Sequence, residues 1–139
     1  MRREGNIIQE IVEHGNMSSS FDQVLRGSAR KQCREGKELL AHREEVIANL
    51  QREIADGTFT VTEYRERDIY EYGKHRRLQI VVMERRIGCN AIMNVVDKHL
   101  HARYIRTTGA SIKRRGTHDT MLQVSKALKE NPHIRYAYQ

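Results

Sequence analysis

Lys74, Arg76 and Arg77 crowd one short stretch, Tyr72-Gly73-Lys74-His75-Arg76-Arg77-Leu78-Gln79-Ile80, directly after a glycine. Cations at this spacing suit phosphate. An arginine guanidinium grips it through two parallel hydrogen bonds, and a lysine ammonium meets it as a point charge. Gly73 supplies the backbone freedom of a tight turn. Upstream, Phe59-Thr60-Val61-Thr62-Glu63-Tyr64 and Asp68-Ile69-Tyr70-Glu71-Tyr72 are rich in β-branched and aromatic residues. Downstream, Leu78 to Met83 is an apolar run of strand length. The stretch reads as a β-hairpin whose tip offers cations to a polyphosphate or a nucleic-acid backbone. Turn residues are also charged simply because turns are solvated, so both readings stay open on composition alone.

A second cluster, Lys113-Arg114-Arg115-Gly116, stands before a helix start at Thr117, where N–H groups and cations together favour phosphate. An exposed loop made soluble by its charges is the plainer alternative. Arg85 and Arg86 open another helix, at the end where positive charge is disfavoured; phosphate or a carboxylate partner would offset that. His99 and His101 are two apart on a helix and share no face, so no metal pair is read there. His118-Asp119 reads as local capping, and Cys33, between Arg30 and Arg34, as a bystander. No paired carboxylates in a two-metal pattern, no P-loop and no dinucleotide fingerprint are present. The inventory holds nucleic acid and neither cuts nor joins it.

The elements that position these residues fit one domain of 139 residues with a modest core. Lys+Arg 25 against Asp+Glu 18 gives a formal charge of +7, which favours nucleic acid over membrane surfaces or acidic proteins. Arginine outnumbers lysine. Two cysteines without ligand spacing predict a reduced, intracellular protein. Without an apolar run of about 20 residues, the chain is expected to be soluble and cytoplasmic, with no membrane partner.

Along the chain, Asn6 to Val12 is a short amphipathic segment, and Gly15 to Ser20 reads as a break, one of whose serines is a candidate cap for the next helix. Phe21 to Ala55 is helical, with interruptions at Gly27 and Gly36. Its second part, from Lys37, carries the stripe Leu39, Leu40, Val46, Ile47, Leu50 and Ile54. Asp56-Gly57 stops it. The hairpin follows, with a bulge or extension around Arg65-Glu66-Arg67. A second strong helix runs from about Glu84 to Ala102, then a basic loop to Gly116. The last helix is capped by Thr117 and closed by Asn131-Pro132. Ile134 to Tyr138 has strand character and stops at Gln139. Either it is an edge strand beside the hairpin, or the chain is a fragment cut as a new strand begins; the fragment is the expectation.

Tyr72 to Ile80, then Arg86-Ile87, then Ser111-Ile112-Lys113-Arg114-Arg115-Gly116-Thr117-His118-Asp119 together resemble the fingers region of bacterial reverse transcriptases. The nearest look is to those of group II introns, diversity-generating elements and related mobile elements. The resemblance covers roughly Lys37 to Gln139, with several weak motifs in the right order. It implies an α+β fold, three or four helices packed around a β-hairpin, as the fingers part of a right-hand polymerase. Residues 1–36 would be an N-terminal helical extension, and residues 37–139 the fingers, ending before the palm. The helices are expected to bury Leu39, Leu50, Ile54, Ile87, Ile92 and Val95 against the hairpin's inner face.

The resemblance further implies that Lys74 and Arg76 contact the triphosphate of an incoming deoxynucleotide. Ser111, Lys113, Arg114, Arg115 and Gly116 would lie along the template, with Arg77 and Arg86 as further basic contacts. The partners would be an RNA template, an RNA/DNA hybrid and a deoxynucleotide triphosphate. The catalytic aspartates and their magnesium ions would belong to the full polymerase, leaving this chain no catalytic residue, metal ligand or cofactor of its own. A homodimer through the surface normally facing the palm is a further expectation. The sequence departs from the family pattern at Arg85, where relatives often have aspartate, and at Arg77, where many have proline. The competing functions are a stand-alone basic RNA- or DNA-binding protein and an interaction module for an acidic partner.

Overall fold

A computed structural model describes residues 5–110, 112 and 115–136. The chain divides into two compact units, residues 1–99 and 100–139. The fold is α+β. The first unit opens with five helices: α1 (Ile7–Val12), α2 (His14–Val24), α3 (Ser28–Gln32), α4 (Arg34–Ala41) and α5 (Arg43–Ala55). A two-stranded antiparallel sheet follows, β1 (Tyr64–Glu71) and β2 (Lys74–Val81), and then α6 (Met83–His101). The described helices therefore outnumber the three or four expected.

The core of the first unit comes from its helices and from Leu25 just after α2, with Phe59 packed against it from the following loop. Met17, Phe21 and Val24 from α2 are buried with Leu39, Ile47, Leu50, Ile54, Ile87, Ala91 and Val95 in one cluster. Burying a side chain such as Phe21 contributes about 2–3 kcal/mol. No hairpin strand supplies a buried residue. This corrects the packing expectation: Leu39, Leu50, Ile54, Ile87 and Val95 are indeed buried, but among helices, while the hairpin stands out from the core. Ile92 is half-buried at its margin. Residues of α1 and α2 share this cluster with those of α5 and α6, on both sides of the boundary expected after residue 36.

The break expected at Gly15 to Ser20 is instead the body of α2, and none of its serines is a cap. Polar residues there are absorbed by a network joining α2 to α6. Asn16 Nδ2 donates to the carbonyls of Ile11 at 2.8 Å and Ala91 at 2.9 Å. Asn94 Nδ2 donates to Asn16 Oδ1 and to Ser20 Oγ, each at 3.0 Å. The fully buried Ser20 hydroxyl donates to the Asn16 carbonyl at 2.8 Å. With every buried polar atom of this set partnered, the desolvation cost is met and the helix continues.

The helix expected from Lys37 to Ala55 is interrupted at His42, between α4 and α5. The break brings Arg43 to the start of α5. There it donates to Asp22 Oδ1 at 2.8 Å and to Ser18 Oγ at 2.6 Å, with its guanidinium 4.8 Å from the centre of the Phe21 ring. Gly36 lies inside α4 rather than at a break; the break falls at Cys33, whose Sγ accepts from Gly36 N–H at 3.4 Å and caps the helix.

In the second unit, α7 (Thr117–Glu130) begins after Gly116 with no side-chain cap bond, so Thr117 is the first helical residue and not a cap. Its apolar residues contribute nothing buried. Ile134 to Tyr136 are in no strand, and the rest of the terminal run lies outside the described residues. No helix among the described residues is long and apolar enough to cross a membrane.

Candidate nucleic-acid interface

The hairpin is joined by the two residues Tyr72 and Gly73, both with positive φ, 50° and 73°. That is the loop whose twist matches a right-handed strand pair, and glycine adopts it without steric cost. The ladder runs without a break from Glu71 opposite Lys74 to Tyr64 opposite Val81. The bulge expected at Arg65-Glu66-Arg67 is absent from it.

An unbroken two-residue register fixes which side chains share a face, since neighbours along a strand alternate. Lys74, Arg76, Leu78 and Ile80 share one face with Arg65, Arg67, Ile69 and Glu71. That face carries four cations and one carboxylate. The opposite face carries Tyr64, Glu66, Asp68, Tyr70, His75, Arg77, Gln79 and Val81, where two carboxylates meet one arginine. The hairpin is thus electrically two-sided. Lys74 and Arg76 are brought together as expected. Arg77 is not with them, and sits 3.5 Å from Asp68 and 3.8 Å from Glu66. Arg65 and Arg67 join the cationic face and were missed in the sequence. Alternation counted back from a two-residue turn was the signal that would have found them.

Arg76 lies 3.5 Å from Glu71, with both side chains about half exposed. Such a pair is worth under about 1 kcal/mol and opens readily for a phosphate. Lys74 and Arg67 have no ion-pair partner among the described residues. Arg85 is different. It is clamped by two hydrogen bonds to Glu53 and lies 5.6 Å from the Phe59 ring centre, so the offset for its awkward place at a helix start is a carboxylate of α5. Arg86, half-buried beside it, makes no ion pair among the described residues.

One carboxylate anchors the base of the hairpin. Glu35 of α4 pairs with Arg65 at 2.9 Å and accepts from the Met83 N–H at 2.6 Å. Its side chain is only 16% exposed while that of Arg65 is 62% exposed, so the bond to the Met83 N–H is the one made where water competes weakly. The first residue of α6 and the second of β1 are therefore held by the same group.

In the second unit, Ser111, Lys113 and Arg114 lie outside the described residues. The Arg115 N–H donates to the Ile112 carbonyl at 3.0 Å and its Nη1 to the Ile105 carbonyl at 3.1 Å. Gly116 follows in extended backbone at the N-terminus of α7. Asp119 accepts from both guanidinium nitrogens of Arg106, at 2.8 and 2.9 Å, and from Gln123 Nε2 at 2.7 Å. This replaces the capping expected of His118-Asp119: Asp119 clamps the preceding loop to the first turn of α7.

The Arg106 hydrogen bonds hold the Asp119 carboxyl down at about 2, from an ordinary 3.8. A folded value below the unfolded one stabilises the fold above the unfolded value, and that stability is lost as pH falls toward 2. The Asp119 carboxyl carbon is expected to titrate near 2 by NMR, and to return toward 3.8 in Arg106→Gln. A midpoint of 3.8 in the intact chain would mean that the clamp does not form.

Among the described residues no three His, Cys, Asp or Glu side chains are grouped to hold a metal ion. No known protein-family model matches the chain, and no curated protein does.

Proposed function

We propose that this chain is the template- and nucleotide-binding fingers portion of an RNA-directed DNA polymerase. The observation that carries the reading is the cationic hairpin face: Glu71 pairs with Arg76 and Glu35 of α4 with Arg65, which leaves Lys74 and Arg67 without an ion-pair partner among the described residues. Phosphoryl transfer to a growing strand needs cations on the departing pyrophosphate and metal ions held by carboxylates. This face supplies the first. In this reading the carboxylates that hold magnesium belong to another part of the polymerase, and the chain contributes binding without bond making.

The motif order Tyr72 to Ile80, Arg86-Ile87 and Ser111 to Asp119 supports the same assignment. Lys74 and Arg76 take the nucleotide triphosphate, and Arg115 and Gly116, with Ser111, Lys113 and Arg114, follow the template. Arg86 is a further backbone contact. Arg77, on the opposite face, is left out of the site.

Binding of single-stranded RNA, followed by fluorescence anisotropy, tests the proposal. Affinity is expected to fall linearly in a log-log plot against salt, with a slope of about −0.7 per phosphate engaged, and without preference for a sequence. Primer extension by the chain alone with magnesium is expected to be nil. A preference of about a thousandfold for one sequence would favour the stand-alone binding protein instead. Absence of binding at low salt would overturn both.

A further inference from the structure

The hairpin's turn is built from an unexpected residue. A two-residue loop with both φ positive favours Asn-Gly or Gly-Gly, because bulky side chains are strained there. Here Tyr72 occupies the first position at φ 50°, and its side chain gains no burial in return: Tyr72 is 91% exposed. Tyr70, two residues before the loop and on the face opposite Lys74 and Arg76, is 80% exposed and lies tilted against His75, ring centres 5.5 Å apart. The fold thus spends turn stability to hold an aromatic ring in water at the tip of the hairpin.

We infer that Tyr72 is a stacking platform for unpaired bases of single-stranded nucleic acid. This rests on the nucleic-acid reading above and adds the part of the ligand that the cations do not read. Every base has a π-face, so a bare aromatic ring beside phosphate-binding cations grips single strands without choosing sequence. The reach is right. Lys74 lies two residues from Tyr72, at most about 7 Å along the backbone, so a base stacked on the ring leaves its phosphates within a side chain's length of Lys74. A duplex, whose bases are stacked on one another, offers no face to such a ring.

The test is Tyr72→Asn, which suits the turn better than tyrosine and so keeps the hairpin, with Tyr72→Phe as the ring-retaining control. Single-stranded RNA is expected to bind Tyr72→Asn about fivefold or more weakly, with an unchanged salt slope, while Tyr72→Phe binds as the parent does. Inorganic polyphosphate, which has charge and no bases, should bind all three alike. The sequence contains no tryptophan, so tyrosine emission is directly visible, and RNA should quench less of it in Tyr72→Asn. RNA affinity unchanged by Tyr72→Asn would overturn the platform and leave the nucleic-acid reading intact. An equal loss for polyphosphate and RNA would make Tyr72 a turn residue only and overturn it as well. Failure of the parent chain to bind any RNA would overturn both.

Discussion

Replacing Lys74 and Arg76 together by glutamate is expected to weaken single-stranded RNA binding by about a hundredfold near 0.1 M salt, while Arg77→Glu changes it less than about threefold. The contrast follows from the register. Lys74 and Arg76 share a face whose other charges are Arg65, Arg67 and Glu71, whereas Arg77 faces Glu66 and Asp68. Each phosphate contact contributes about 0.7 to the salt slope, so losing two costs roughly a factor of 25 at 0.1 M, and charge reversal adds repulsion. The slope itself should shrink by about 1.4. All three positions are exposed on a hairpin outside the core, so folding stability should move by less than about 0.5 kcal/mol. Anisotropy titrations over a range of salt, beside a thermal melt, provide the measurement. A larger loss for Arg77→Glu than for the pair would place the ligand on the other face and remove the basis of the proposed site.

The parts of this fold legible in the sequence were those decided locally. Gly73 marked the turn, the β-branched and aromatic runs marked its strands, and the stripe through Ile87 and Val95 marked α6. What escaped reading was decided by partners distant in the chain. Gly15 to Ser20 looked like a loop because its polar residues suggest caps; that Asn16 and Ser20 bond to Ala91 and Asn94 is not a local property. For Arg85 the sequence left phosphate and a carboxylate partner both open, and Glu53, 32 residues away in the chain, decides for the carboxylate. Glu35 carried no signal at all, since its bond to the Met83 N–H spans 48 residues. The membership of the cationic face lay between these cases. Arg65 and Arg67 alternate correctly in the sequence, but a bulge of one residue would have sent them to the other side. Only the unbroken ladder decides that they join Lys74 and Arg76.

Gly36→Ala is expected to cost about 3 kcal/mol. A Cβ at position 36 would run into the Arg30 carbonyl oxygen, with the carbonyl carbon at 2.9 Å and Lys31 Cα at 3.3 Å. Those atoms are backbone of α3, which cannot rotate away as a side-chain end can, so α3 and α4 must separate or the junction at Cys33 must deform. Gly15→Ala is the control of opposite sign. Position 15 is also helical, with nothing within 4 Å of its Cβ, and alanine there should add roughly 0.5–1 kcal/mol. Against a total of about 5–15 kcal/mol for a domain, the two are readily told apart by urea denaturation. The consequence for the site follows from the neighbouring residue. Glu35 holds both Arg65 and the Met83 N–H, so a displaced α4 withdraws the anchor of the hairpin's base while its turn, held by the Tyr72-Gly73 loop, stays formed. Hydrogen exchange in Gly36→Ala should therefore quicken at Met83 and at the base of β1, and less at Lys74. Uniform quickening along the whole hairpin would show instead that the two strands open as one unit, with Glu35 contributing nothing to where the cationic face is held.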